Sequence, residues 1–333
     1  MGRRRSRRSC GIGGQAVLEG IMMKNKDLYA VAVRKPNGEI EVDTGEYHGV
    51  IHGNKVKEIP FIRGVFNFID SLILGSRTLT YSASFYEEEE GKETIPDKVM
   101  QKLFRDKVES VITGVTFFFA IVLAIAIFMV LPYYISSFFN SYVRNHTLLA
   151  LLEGLIRIGI FLLYVILISS MKEIKRVYMY HGAEHKCINC IEKGRPLTVQ
   201  DVMRSSRLHN RCGTSFLLFV MLVSVILFIF IRVQHPVTRV VVRVLLLPVI
   251  AGISYELIRF AGNHGRNPLV RLFSAPGLLL QRLTTREPSE DMIEVAIKSV
   301  EAVFDWKTYL LETFGYEVDD SQLSEDSGKD GDE

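Results

Sequence analysis

The sequence predicts a mainly α-helical integral membrane protein: four transmembrane helices, a small N-terminal β-module and a C-terminal amphipathic helix on the cytoplasmic side. Three observations carry this expectation. First, apolar residues gather in blocks. Segments 111–139, 148–170, 214–231 and 240–260 each approach or exceed the roughly 20 helical residues that a hydrocarbon layer requires. Second, segment 11–59 alternates apolar and polar residues around Pro36-Asn37-Gly38-Glu39, a hairpin signal in which Asn37 and Gly38 tolerate positive φ. Third, residues 289–314 follow Pro288 with Ser289 as a cap and acidic residues in the first turn, then repeat apolar side chains at helical spacing.

Taken in order, the chain opens with a basic leader, 1–10, holding five arginines in its first eight residues. No apolar core follows them, so a cleavable signal is not expected. The glycines at 11, 13 and 14 lack the preceding strand of a nucleotide-binding fingerprint, and close backbone packing is their expected use. Segment 60–86 turns helical, with Ile62, Val65, Phe66, Ile69 and Ile73 on one side and Arg63, Asn67 and Asp70 on the other. Such a helix lies on the membrane surface or packs beneath the spans. Glu87–Glu93 reads as a solvated acidic linker.

Pro132 falls near the outer end of the first span, where a helix stops or kinks at least cost. In the second, Glu153 and Arg157 stand at i, i+4 and are expected to pair, facing the bundle. Pro248, Gly252 and Ser254 give the fourth span a bent, closely packed character, with Glu256 and Arg259 near its end. Segment 261–288 reads as interfacial, anchored by leucines. The apolar face of 289–314, namely Ile293, Ala296, Ile297, Val300 and Phe304, needs a partner, for which the N-terminal module is the candidate. Residues 315–333 form an acidic tail that, like the leader, is not expected to fold.

Connection 171–213 carries nine lysines and arginines, against Arg144 alone in the 140–147 turn. The positive-inside rule then places both termini and the 171–213 loop in the cytoplasm. All four cysteines face a reducing compartment, which disfavours structural disulfides.

That loop holds the chemistry. His181, Glu184 and His185 spell HxxEH, a spacing that on a helix sets both imidazoles on one face with the carboxylate beside them. His209 and Cys212 follow as HxxC. Imidazole, thiolate and carboxylate are donors that zinc or a similar divalent ion prefers. The candidate ligands are His181, His185, His209 and Cys212, with Glu256 either a further ligand, a hydrogen-bond acceptor behind them, or an interfacial carboxylate paired with arginine. In a catalytic site Glu184 is the general base and His209 steadies oxyanion charge.

The blocks GGQAVLEGIMM at 13–23, PFIRGVFNFIDSLILG at 60–75, YHGAEHK at 180–186, LHNRCGTSF at 208–216, AGISYE at 251–256 and PGLLLQRLTTREP at 276–288 resemble the YqhQ family. These are bacterial multi-pass membrane proteins built on a domain of unknown function and sometimes labelled predicted metal-dependent enzymes. The resemblance implies a bacterial cell membrane location and carries the motif over as His181, Glu184, His185, His209 and Cys212. Asn210 stands where that pattern has proline. No family role attaches to the Cys187–Cys190 CxxC pair.

Two functions are compatible with these residues. One is a metal-dependent hydrolase acting on a membrane-proximal ester, amide or phosphoester. The other is a non-catalytic scaffold or biogenesis factor whose His/Cys/Glu loop is structural and whose cytoplasmic platform engages protein partners. In both, the bilayer and, through the arginine-rich leader, anionic headgroups are expected partners. No organic cofactor is expected, and basic stretches without interleaved aromatics disfavour nucleic acid.

Overall fold

The computed structural model describes residues 9–51, 59–87, 114–231, 233, 235–264, 267–315 and 317–318. The basic leader up to residue 8, the acidic linker beyond Glu87, the start of the first apolar block and nearly all of the acidic tail lie outside the described residues. The chain divides into two compact units: residues 1–86, 167–219 and 251–333, and residues 87–166 and 220–250.

The first unit is built on an antiparallel meander: β1 (Gly13–Val17), β2 (Gly20–Asn25), β3 (Leu28–Arg34) and β4 (Ile40–Glu46), paired in sequence order. Its register sets Gly14 opposite Met23, Met22 opposite Val31 and Ala32 opposite Val42. At the β3–β4 turn only Gly38 takes positive φ. Asn37 acts instead through its side chain, whose Oδ1 accepts the Glu39 N–H at 3.1 Å and closes the turn without strain.

Both faces of the central strands are covered. Tyr29, Val31 and Val33 join Val17 and Met22 against Leu74, Tyr81, Phe85 and Tyr86 of helix α1 (Ile62–Glu87). Leu74, Gly75, Thr78 and Ser82 are buried along α1, whereas Ile62, Ile69 and Ile73, taken above for part of its apolar face, are exposed together with Leu72 and Leu79. The helix therefore has a second apolar surface besides the one the sheet uses.

The second unit holds α2 (Gly114–Ser137) and most of α3 (His146–Ile168), and of the later helices it includes one whole and two in part. In chain order the helices after α3 are α4 (Lys172–Glu192), α5 (Val199–Met203), α6 (Gly213–Phe230), α7 (Pro236–Leu245), α8 (Leu247–Asn263), α9 (Pro268–Thr284), α10 (Glu290–Glu301) and α11 (Trp306–Phe314). Helices α2, α3 and α6 are each long and apolar enough to cross a membrane, and α7 with α8 makes a fourth if the pair is one span. The block 240–260, expected as one helix, is thus two, bent by 42° at Leu246. Pro248 accounts for the break, since it has no N–H for the Val244 carbonyl.

Two further expectations change. Segment 171–213 is not a loop: it begins with the 21-residue helix α4, buried almost throughout from Tyr180 to Glu192. Segment 289–314 is two helices. Asp305 accepts the Thr308 N–H at 3.0 Å and caps a new start, so α10 ends at Glu301 and α11 begins at Trp306. Ser289 occupies the N-cap position of α10 without a side-chain cap bond.

Helix α10 finds two partners. Ile293, Ala296 and Val300 share a core with Ile21, Met23, Ala30 and Ala32 of the sheet and with Ile188 and Ile191 of α4. Ser299 Oγ lies 3.1 Å from the Ile21 carbonyl and 3.2 Å from that of Ala30. Ile293, fully buried at this junction, is the sensitive position. Ile293→Ala should cost about 2–5 kcal/mol, read as a lowered thermal midpoint of the purified chain, whereas Leu311→Ala, at an exposed side chain, should change it little.

Candidate metal centre

Helix α4 carries HxxEH into the middle of the first unit. Gly182 permits this, because a Cβ there would run into the Arg286 carbonyl. The 285–289 segment that follows α9 lies directly on α4, and its Arg286 N–H donates to the Tyr178 carbonyl at 2.8 Å. One turn further on, Lys186 Nζ donates to the carbonyls of Met203 at 2.7 Å and Ser205 at 3.0 Å, and reaches Glu287 at 2.8 Å. Asn189 Nδ2 donates to the carbonyls of Ser206 and Leu208. These bonds hold the 203–208 segment against α4, and His209–Cys212 follows from it.

The result brings together three of the predicted ligands. One donor atom from each of His181, His185 and Cys212 lies within 4.8 Å of the others. Cys212 Sγ is 3.3 Å from His181 Nε2, and the two imidazole centroids are 4.4 Å apart. Each ring is oriented by a backbone carbonyl, Thr284 O at 2.9 Å from His181 Nδ1 and Arg207 O at 2.6 Å from His185 Nδ1. A carbonyl only accepts, so Nδ1 carries the proton in both rings. Nε2 is left as the ligating nitrogen, the arrangement that fixes histidines around metals.

Burial pulls the His181 imidazole down, but the neighbouring Cys212 outweighs it and lifts the ring to about 9. Burial likewise pushes the Cys212 thiol up, and His181 and His185 overcome it, holding the group well below its ordinary value of 9.0. Without metal the pair is imidazolium and thiolate. Glu184, also buried, has its carboxyl raised chiefly by burial, and its Oε2 lies 4.0 Å from His181 Nε2. It takes a backbone hydrogen bond from Gly14, where a Cβ would sit only 3.0 Å from Glu184 Cγ. Of the three opening glycines Gly14 alone makes this close approach, since a Cβ at Gly11 or Gly13 would meet nothing within 4 Å.

His209 and Glu256 stand apart from the three. The His209 ring is 5.6 Å from that of His185, and its backbone is clamped by Gln281, which accepts from His209 N at 2.9 Å and donates to His209 O at 2.7 Å. Burial drives this imidazole down to about 4. It is therefore neutral, and its Nε2, 3.6 Å from Glu192, is buried without a hydrogen-bond partner. Glu192 is engaged by Arg211 and by the Cys10 N–H at 3.3 Å. Glu256 is bound by both arms of Arg63, at 2.6 and 2.5 Å, and by the Phe61 N–H, so Arg63 rather than Arg259 is its close partner.

Residues that sequence reasoning passed over therefore do much of the positioning: Arg207, Gln281 and Thr284. Each lies in or beside a block quoted above, but a backbone carbonyl that orients a ring leaves no trace in residue type. The other three cysteines are free and buried. Burial pushes Cys10 and Cys190 up to about 12, and Cys187 well above its ordinary value.

What the fold and site define is a mainly helical protein with three or four membrane-length apolar helices and a buried His/His/Cys group. The family described as "Protein of unknown function (DUF1385)" matches residues 59–306, and the chain belongs to it. The uncharacterized protein YqhQ of Bacillus subtilis (strain 168) is 35% identical over 291 residues, covering 86% of this chain and 90% of that protein. No solved structure matches.

Two ionisations give a test. His181, raised from 6.5, contributes stability that is complete below that ordinary value and lost as pH rises through about 9. His209, lowered from 6.5, contributes stability that is lost as pH falls from 6.5 towards 4. Metal-free protein should lose stability across that acid window, and His209→Gln should remove this component, measured by thermal unfolding against pH. Metal-free protein at pH 7 should also show thiolate absorption in the ultraviolet that Cys212→Ser abolishes and Cys10→Ser leaves intact.

Proposed function

We propose that His181, His185 and Cys212 hold a zinc-like divalent ion at the centre of a membrane-embedded hydrolase. The observation that carries this reading is the pair of Nδ1–H bonds to Thr284 O and Arg207 O, which leave Nε2 of each ring beside Cys212 Sγ. The donor set fits: two imidazoles and one thiolate, all borderline to soft. Among the described residues the group stops at three, the ligand number of catalytic zinc sites, which keep a position for water.

Bound there, the ion would supply Lewis acidity and lower the proton affinity of water. Glu184 is the residue placed to accept that proton. Its raised carboxyl makes it a better acceptor than a solvated carboxylate, and Gly14 fixes its backbone-facing side. Neutral His209 behind His185 adds no charge to the site but can donate or accept through Nε2. Metal binding displaces the proton from His181 Nε2, so affinity should fall as pH drops.

The membrane reading rests on α2, α3 and α6 and on the surface of α9. Leu269, Leu272, Phe273 and Leu279 of α9 are exposed, opposite buried Val270, Ser274, Gly277 and Leu280. Such a helix suits an in-plane anchor at a bilayer surface, and a substrate presented from that surface is an ester, amide or phosphoester. By the positive-inside rule, the basic 171–213 segment favours the cytoplasmic side for this unit and both termini.

Purified protein should carry one equivalent of zinc. His181→Ala or Cys212→Ala should remove it, whereas Glu184→Gln should keep the metal and reduce hydrolysis by at least a hundredfold, on the scale of a lost general base. Metal content unchanged in both ligand variants would overturn the centre. Unfolding on chelation would instead assign it a structural role. Labelling of single-cysteine variants in whole cells tests the orientation, which fails if a reagent that cannot cross the membrane modifies a cysteine placed at Arg195.

A further inference from the structure

The second unit contains a charge imbalance that the metal centre does not use. Glu153 of α3 is 4% exposed, and it is the sole carboxylate in segments 114–166 and 220–250 of that unit among the described residues. Three guanidiniums face it. Arg243 of α7 engages both its oxygens, Arg157 Nη2 donates at 3.1 Å, and Arg239 Nη1 stands at 4.0 Å. Guanidinium remains charged in proteins, so the cluster carries one negative charge against three positive ones.

The three arginines are not equivalent. Arg157 is committed to the framework. Pro132 of α2 has no N–H for the Phe128 carbonyl four residues back, and Arg157 Nε donates there at 2.9 Å, next to the π-turn at Ala126–Val130. Its Nη1 donates to Ser224 Oγ at 3.1 Å. Arg243 is spent on Glu153. Arg239 is the remaining cation: its Nε donates to the Val233 carbonyl at 2.8 Å and its guanidinium stacks 4.6 Å over the Tyr133 ring, and among the described residues its ion pair is with Glu153 alone, at 4.0 Å. Its side chain is 22% exposed, while Arg157 and Arg243 are at 5% and 6%. The cluster therefore opens on the side of Arg239.

We propose that this cluster is a second site, independent of the metal centre, that binds a phosphate group through Arg239 with Arg157 and Arg243 behind it. Leaving excess charge in a low-dielectric unit is costly, and an anion entering beside Arg239 neutralises it. Planar guanidiniums match phosphate oxygens in pairs. The phosphate belongs to an anionic lipid headgroup or to free phosphate, and on the membrane reading the unit lies where lipid supplies it.

The test uses the purified full-length chain in zwitterionic detergent, titrated with short-chain phosphatidylglycerol, short-chain phosphatidylcholine and inorganic phosphate, with thermal stabilisation as the readout. Phosphatidylglycerol should half-saturate at least tenfold below phosphatidylcholine, and Arg239→Gln should abolish that preference. Stabilisation by inorganic phosphate that is lost in the same variant supports the site with a soluble source. Glu153→Gln removes the competing carboxylate and should tighten phosphatidylglycerol binding, whereas a purely structural ion network would only lose stability. Equal binding of phosphatidylglycerol and phosphate by wild type and Arg239→Gln overturns the proposal, as does a folded Glu153→Gln variant with no gain in affinity. If Glu153→Gln does not fold, the Arg239→Gln comparison decides.

Discussion

The burial of α4 is the constraint on which the first unit depends. A helix bearing His181, Glu184, His185, Lys186, Asn189 and Glu192 within three turns would ordinarily face water along one side. Here the sheet, α10, the 285–289 segment and the 203–212 segment enclose it. Each buried polar group left without a partner costs about 1–3 kcal/mol, so the surrounding chain is shaped by what these side chains need. Lys186 and Asn189 take the carbonyls of 203–208, and both histidines take a carbonyl through Nδ1. Satisfying the helix and orienting the site are one and the same process.

Much of this was legible in the sequence, and the parts that were not share a cause. HxxEH and HxxC declare which side chains are chemically able to meet. They meet because i, i+4 spacing stacks His181 on His185 and a short connection returns Cys212 to them. The β-meander was readable from alternation and from Gly38. What stayed hidden depends on partners far away in sequence. Nothing local to α1 tells which of its two apolar surfaces faces the sheet, and spacing alone left the face of Ile69 and Ile73 either on a membrane surface or beneath the spans. Asp305 looks like any acidic surface residue until its side chain is seen closing on Thr308. Glu256 was placed near the site by topology, yet Arg63, nearly two hundred residues earlier, claims it.

The two units solve the problem of buried charge in different ways. Around α4, charges and donors are matched locally: Glu192 with Arg211, and the His181 imidazolium with the Cys212 thiolate. Removing one member exposes the other to the full desolvation penalty. In the second unit, among the described residues, the matching around Glu153 is incomplete, since one carboxylate faces three arginines on α3 and α7. Part of that excess has a structural origin, because a proline in α2 leaves a carbonyl that Arg157 answers. The part that Pro132 does not explain is Arg239.

Neutral His209 shows why the ligand group ends at three. A fourth imidazole of ordinary basicity beside His185 would be drawn towards any bound cation's ligand sphere, and the site would close as a tetrahedron. Gln281 prevents that by gripping the His209 backbone from both its N–H and its carbonyl, fixing where the ring can reach. Burial then keeps the ring uncharged, so it does not repel a cation held by its neighbours. Its Nε2 points to the side of Glu192, which Arg211 and the Cys10 amide already occupy. An imidazole held this way stays a neutral polar group beside His185. On the proposed reading it leaves the position that water would take at the ion unfilled, and that is where the two roles weighed for the site part company.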